Sequence, residues 1–368
     1  MANINDYLKW RGDIKISKEF PLNELDNMIL SRFSYLPFDR IKLSDIETPK
    51  TLYKKMQKFS NDVFLYTGDK EMIELMSKSP RFSDLLVTDY EFDFDKSIEK
   101  QFAAITIHLS NKEMFLSYCG TDRTLTGWKE DFNLAYMENI PAQIEALDYL
   151  KKQAKKYNNK KILIGGHSKG GNIAIYSGIK ASKKIQKRIV KISNYDGPGF
   201  SHNMIESIEN PEIISRIHSV IPQESVIGRL LEHREKTYIV KSNEKGLYQH
   251  DIFSWEVFKD DIVRLPNVDK FSEVVNDTVR EWLKKTTPEQ RKMFVDGIFG
   301  ILYSTEVSTF REFWSSILRN TPTMFKAYKG INEKDRKMIT NMMKEFGKSY
   351  YSAFRKNNGK KAKKEAIS

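Results

Sequence analysis

The sequence predicts an α/β fold in which a mostly parallel central sheet is flanked by helices and followed by a helical C-terminal extension. Two observations predict the sheet. Short apolar runs alternate with helix-like segments between about residues 102 and 242, and a glycine-rich turn follows the apolar run 162–164. A third observation predicts the extension, because apolar residues recur at helical spacing from about residue 266 onward.

The elements before the glycine-rich turn follow from hydrophobic spacing. Apolar residues three and four positions apart predict a helix over 21–38, with Asn23 as its cap and Pro37 near its end. An amphipathic helix over 140–157 leads into the central strand. The other elements on this side are a partly helical stretch at 50–77 and strands at 102–109 and 114–118.

Beyond the turn, further strands alternate with short connections, which is typical of a parallel sheet with helices on both faces. These strands are predicted at 188–195, 216–221 and 236–242. Ligands of such sheets bind at the carboxyl ends of the strands, so polar residues just after each strand are the candidates for a site.

The turn itself, 166–170, reads Gly-His-Ser-Lys-Gly and fits the G-x-S-x-G pattern of a nucleophile elbow. Small residues two positions before and after Ser168 let the strand and the following helix pack closely. The serine hydroxyl then stands at a helix N-terminus, where N–H groups can stabilise an oxyanion. We therefore predict Ser168 as a nucleophile; the alternative is a purely structural glycine turn.

An oxyanion requires a second donor, from a loop that follows an earlier strand. Thr121 comes shortly after the strand 114–118 and can offer both a backbone N–H and a hydroxyl. The backbone N–H of Lys169 is the other predicted donor. The charge of Lys169 either favours an anionic substrate or faces solvent. Cys119 is expected to be a small buried residue, because no base motif lies near it.

A serine also needs a base and an acid that orients the base. His250 lies in the loop after the last predicted strand and is the favoured base. His218 would lie inside a strand, while His202 and His233 precede the last one. Two carboxylates are candidates for the acid: Asp196 and Glu224 each follow a strand after the elbow, and spacing alone leaves both open.

Composition restricts the class of protein. With 368 residues, of which 40% are hydrophobic, the chain is globular and long enough for a full core. One cysteine excludes an internal disulfide framework, and residues 1–10 lack the apolar segment of a signal peptide. Both observations favour a cytoplasmic location.

The formal net charge is +12, and part of it lies in a basic tail at 355–364. The tail is either a solvated segment or a region attracted to an anionic membrane surface, which would give peripheral contact. Nucleic-acid binding is not expected, since no zinc-finger spacing or RNP-type strand occurs in the sequence.

Residues 115–121, followed by Trp128 and Asp131, resemble the oxyanion-loop signature of class 3 (fungal-type) lipases, and 165–171 resemble their G-H-S-x-G elbow. More closely, the chain is similar to a bacterial lipase-3-like (Mbeg-type) family within the α/β-hydrolases. The similar stretches are 25–38, the elbow, 195–200, 221–233, 249–251 and 253–255. Cys119 departs from the class 3 pattern, which has an arginine there.

The resemblance implies an α/β-hydrolase fold and a serine hydrolase that cleaves a lipid or other acyl ester, without a metal or organic cofactor. The class 3 resemblance places Glu224 near the catalytic aspartate of those lipases. Residues 196–200, in contrast, are similar to the stretch around the catalytic aspartate of pancreatic-type lipases, and the bacterial family does not always have an acidic residue at the position of Glu224, so Asp196 is the preferred acid. The alternatives are a catalytically silent scaffold for protein or membrane binding, and a thioesterase or peptidase with the same triad.

These patterns divide the chain into three predicted parts. Residues 1–260 form the α/β-hydrolase domain with its N-terminal helical segment. Residues 261–350 form a helical extension or cap. Residues 351–368 form the basic tail, which is expected to be disordered.

Overall fold

The computed structural model describes residues 1–122, 124–305, 307 and 310–365. The helices are α1 (Ile4–Arg11), α2 (Glu24–Phe33), α3 (Pro49–Met56), α4 (Thr67–Lys78), α5 (Leu125–Asn133), α6 (Pro141–Lys156), α7 (Lys169–Lys180), α8 (Lys183–Gln186), α9 (His202–Glu206), α10 (Pro211–Ser215), α11 (Lys270–Lys285), α12 (Pro288–Tyr303), α13 (Phe310–Gly330) and α14 (Glu333–Glu365). The strands are β1 (Leu86–Asp95), β2 (Lys100–His108), β3 (Glu113–Tyr118), β4 (Lys161–His167), β5 (Ile189–Tyr195), β6 (Ile217–Pro222), β7 (Thr237–Val240), β8 (Val257–Phe258), β9 (Asp261–Ile262) and β10 (Arg264–Leu265).

Among the described residues, eight strands form one central sheet in the order β1-β2-β3-β4-β5-β6-β7-β10. Neighbouring strands from β3 to β7 are parallel, while β1, β2 and β10 pair antiparallel at the two ends. Strands β8 and β9 form a separate short hairpin. This arrangement confirms the predicted α/β class with a mostly parallel sheet.

Alternation along the central strand gives the sheet two buried faces. Leu163 packs on the face covered by the N-terminal helices, in a core that includes Ile29. Its neighbours Ile162 and Ile164 pack on the opposite face, in a core that includes Ile173 of α7. Because both faces are covered, β4 carries a continuous apolar run at 162–164, as parallel strands usually do.

The predicted local signals recur at the observed helix ends. Asn23 caps α2 through a capping box with Asp26, as predicted, although the helix ends at Phe33 and not near Pro37. The first turn of α12 is closed by the capping box of Thr287 and Gln290. None of the described helices is both long and apolar enough to cross a membrane.

The C-terminal region is helical, as predicted. Where the sequence predicts a disordered tail from residue 351, the structure continues α14 to Glu365. Lysine, alanine and glutamate dominate 360–365, and these residues have high helix propensity, which their charge does not cancel. Residues 366–368 lie outside the described part of the chain, and the boundaries at 260 and 350 stay predictions.

Candidate active site

The turn between β4 and α7 holds Ser168 in a strained backbone conformation, with φ 57° and ψ −135°. Two close approaches explain its glycines. A Cβ on Gly166 would lie 2.2 Å from the carbonyl carbon of Gly170, and a Cβ on Gly170 would lie 2.3 Å from the carbonyl oxygen of Tyr118. A larger residue at Gly166 would push β4 away from α7, and one at Gly170 would push α7 away from β3, so the elbow depends on both glycines.

The loop ends after β5 and β7 bring a carboxylate and an imidazole together. Asp196 Oδ2 lies 2.6 Å from His250 Nδ1. The other oxygen, Oδ1, accepts hydrogen bonds from Ser225 Oγ at 2.5 Å and from the backbone N–H of Gly228 at 3.1 Å. The carboxylate is buried, and all three partners fix its direction.

Glu224, the other candidate acid, bonds the backbone of the histidine loop. Its Oε2 accepts a hydrogen bond from the N–H of Gly246 at 2.5 Å, and its own N–H donates to Gln249 Oε1 at 2.9 Å. Glu224 thus supports the segment just before His250, whose imidazole faces Asp196.

His167, beside the nucleophile, contacts the same loop. Its Nε2 lies 2.8 Å from the carbonyl oxygen of His250, and the two imidazole rings are tilted with centroids 4.6 Å apart. Its Nδ1 lies 3.4 Å from Arg32 Nη1. A guanidinium only donates and a carbonyl only accepts, so Nδ1 is the acceptor and Nε2 carries the proton.

Several causes keep this imidazole neutral. Burial first, and then the nearby His250 and Arg32, hold the pKa of His167 well below its ordinary value. His167 was not predicted as part of the site. The elbow motif contains this histidine, but the partners of its side chain come from distant parts of the chain.

Arg32 of α2 is fully buried in an ion pair with Asp69 of α4. Two bonds join them, Nε to Oδ1 at 2.6 Å and Nη2 to Oδ2 at 2.7 Å. The guanidinium also lies over the Tyr35 ring, 3.9 Å from its centroid. Burial opposes the charge, but Asp69 outweighs it and raises the pKa of Arg32 above its ordinary value.

We predict that Arg32→Met lowers the free energy of unfolding by about 3–5 kcal/mol, because it leaves the Asp69 carboxylate buried without its partner. Urea denaturation measures the loss. The matched control is Lys50→Met, which removes an exposed ion pair with Asp84 and should leave the urea midpoint nearly unchanged. Equal midpoints for Arg32→Met and the wild type would contradict the prediction.

On the other side of the elbow, the loop after β3 passes against the nucleophile. A Cβ on Gly120 would lie 3.1 Å from Ser168 Cβ. The next residue, Thr121, donates its hydroxyl proton to Asp131 Oδ2 at 2.5 Å. That single hydroxyl proton is therefore engaged by Asp131. Burial raises the pKa of Asp131 to about 6.

Lys169 follows the nucleophile, and its side chain is completely buried. Its Nζ donates to Glu130 Oε2 at 2.6 Å and to the backbone carbonyl of Gln101 at 2.8 Å. The prediction that this charge faces solvent is therefore wrong, while its attraction of an anionic substrate stays a prediction. The ion pair joins the elbow to α5, the helix that also carries Asp131.

Cys119 is buried, as predicted, and burial raises the pKa of its thiol to about 12. At about pH 8 only about one thiol in ten thousand is then a thiolate. We predict that iodoacetamide fails to modify the native protein and modifies it readily in concentrated guanidinium. Mass spectrometry measures the modification, and rapid modification of the native protein would contradict the prediction.

The other candidate histidines lie elsewhere. His202 pairs with Glu232 and His233 with Glu235, while His218 lies in β6. Among the described residues, no group of three or more histidine, cysteine, aspartate or glutamate side chains is placed to hold a metal ion.

The sheet order, the elbow and the loops at the carboxyl ends of β3, β5 and β7 define an α/β-hydrolase fold. The chain belongs to the Mbeg1-like family, whose model matches residues 76–300.

Comparison with solved structures finds fungal lipases. The chain is similar to a fungal lipase in an inhibitor complex (13% identity, 47% of this chain and 70% of that one, TM-score 0.36). It is also similar to lipase II from Rhizopus niveus (12%, 42% and 67%, 0.33) and to Lip2 lipase from Yarrowia lipolytica (12%, 62% and 81%, 0.35). No curated protein matches the chain.

Proposed function

We propose that the protein is a serine hydrolase that cleaves carboxylic esters through Ser168, His250 and Asp196. The observation that carries the proposal is the 2.6 Å contact between His250 Nδ1 and Asp196 Oδ2, in a loop bonded to the elbow through His167. An acid, an imidazole and a strained serine at the carboxyl edge of one sheet are the parts that such chemistry requires.

In the proposed mechanism, Ser168 attacks the acyl carbonyl while His250 takes its proton. Asp196 keeps the Nδ1–H of His250 directed toward itself and stabilises the imidazolium that forms. The backbone N–H groups of Thr121 and Lys169 receive the oxyanion. His250 then gives the proton to the leaving alcohol, and the acyl group stays bound to Ser168 as an ester. Water attacks this ester while His250 takes its proton, and His250 returns that proton to the Ser168 oxygen as the carboxylic acid leaves.

We propose a lipid or another acyl ester as the substrate, since the family is lipase-3-like. A thioesterase or peptidase would use the same residues, and profiling across the three bond types separates them. The cytoplasmic location stays a prediction from the sequence.

Labelling with a fluorophosphonate probe tests the mechanism. The wild type should be labelled, while Ser168→Ala and His250→Ala should not. His202→Ala is the matched control, because this histidine is exposed and pairs with Glu232, and it should be labelled like the wild type. If the wild type fails to react, the activated serine is absent, and the silent-scaffold alternative is favoured.

His167 is expected to position His250. We predict that His167→Phe, which keeps a ring and loses both hydrogen bonds, lowers kcat about a hundredfold with little change in KM. His167→Gln can still donate to the carbonyl of His250 and should recover most of kcat. Equal kcat values for the two variants would contradict a positioning role, and urea midpoints report any loss of folding.

A further inference from the structure

Helix α14 carries an exposed aromatic face that the proposed chemistry does not use. Met343, Tyr350 and Phe354 are 61%, 49% and 44% exposed, and Tyr351 is 62% exposed. Tyr350 and Phe354 follow Met343 by seven and eleven positions, which is two and three helical turns, so these three side chains form one stripe. An exposed row of large apolar side chains is unusual on a folded surface and indicates an interaction site.

The side of α14 next to the stripe is fixed, so the stripe is held in place. Ala353 is buried, as is Met342, whose carbonyl accepts a hydrogen bond from Trp282 Nε1 at 3.2 Å. Ser352 Oγ donates to Glu281 Oε1 at 3.0 Å. These contacts join α14 to α11 and leave the aromatic face outward.

A basic stripe runs along the same helix. Lys337, Lys344, Lys348 and Arg355 follow one another at helical spacing and are exposed. Tyr351 lies between this stripe and the aromatic one by helical rotation. Over Glu333–Glu365, the sequence holds eleven lysines and arginines against four acidic residues. A large part of the net charge of +12 is thus concentrated on one helix.

We propose that this face of α14 docks on an anionic lipid surface. Aromatic side chains partition into the membrane interface, and basic side chains are attracted to acidic headgroups, so the two stripes act together. A second copy of the chain is a poorer partner, because facing α14 helices would bring like charges together. The docking surface extends the membrane contact predicted from the basic tail, since most of its side chains precede residue 355.

Co-flotation of the full chain with phosphatidylcholine vesicles, with and without phosphatidylglycerol, tests the proposal. Binding should require the anionic lipid and weaken with salt. Lys344→Gln with Lys348→Gln should weaken binding about thirtyfold, since each basic side chain contributes roughly fivefold at such a surface. The matched control is Lys183→Gln with Lys184→Gln on α8, which also removes two exposed lysines and should bind like the wild type.

The aromatic stripe has its own variant. Tyr350→Ser with Phe354→Ser should weaken binding about tenfold or more. Phe258→Ser removes an aromatic ring that is 69% exposed in the β8–β9 hairpin and should have no effect. All these side chains are exposed, so the fold should be retained, and thermal unfolding checks it.

Equal binding to neutral and anionic vesicles, or no binding to either, would overturn the proposal. So would dimerisation in solution that the Tyr350 and Phe354 changes abolish, because the face would then serve a second copy. The docking is independent of the proposed hydrolysis: Ser168→Ala should bind vesicles like the wild type. A failure of vesicle binding therefore contradicts only the docking proposal, and a failure of fluorophosphonate labelling contradicts only the proposed hydrolysis.

Discussion

Ser168→Ala should lower the turnover of any ester that the protein accepts by about a millionfold, the loss seen when a serine hydrolase loses its nucleophile. The reason is covalent: without the hydroxyl no acyl-enzyme forms, and only the oxyanion donors and substrate binding remain. The measurement is kcat on a chromogenic acyl ester, with release of the alcohol followed directly.

The structure supplies a control for this variant. Ser168 has a positive φ that a non-glycine side chain rarely adopts, and alanine keeps that strain. The free energy of unfolding should therefore change little, so a loss of activity cannot come from unfolding. Residual turnover within about tenfold of the wild type would reject Ser168 as the nucleophile.

The second large effect distinguishes the two candidate acids. Asp196→Asn should lower kcat about ten-thousandfold, because an amide in place of the carboxylate favours the wrong tautomer of His250. Glu224→Gln should cost less than about tenfold, since its amide oxygen can still accept from the N–H of Gly246.

Comparing the two variants isolates the role of charge next to the base. Both remove one negative charge and keep the size of the side chain, and both sites lie in loops at the same edge of the sheet. A loss of kcat for Glu224→Gln as large as that for Asp196→Asn would contradict the assignment. A similar loss of kcat for both variants, together with lower free energies of unfolding, would indicate a structural cause.

Local patterns were sufficient for the fold class. An apolar run, a glycine-rich turn and a helix-like stretch are contiguous in the sequence, and each residue's conformation there depends on near neighbours. The cap of α2 at Asn23 was readable for the same reason. Helix ends were less certain, as the early end of α2 at Phe33 shows, because local packing decides them.

The candidate acids illustrate what local patterns leave open. Asp196 and Glu224 both follow strands and both carry a carboxylate, so the sequence ranks them only by resemblance. The path of the loop after β7 directs the imidazole of His250 to Asp196 and the backbone N–H of Gly246 to Glu224. No short-range pattern encodes that path.

Buried charges also depend on contacts that local sequence patterns do not predict. Lys169 was expected at the surface or facing substrate, because lysine is rarely buried without a partner. Its partner Glu130 is 39 residues away in the sequence, and Arg32 is 135 residues from His167. A pairing over such distances has no signature in spacing.

The sequence by itself determined the order of strands β2 to β7, the elbow between β4 and α7, and the position of its serine, because these depend on hydrophobic period and on glycines next to one another. Only the tertiary structure decided which carboxylate faces His250, that His167 contacts its loop, and that Lys169 is enclosed. Those outcomes depend on side chains from remote segments that meet only when the sheet and its covering helices are assembled, since burial and pairing of charge are properties of the packed whole.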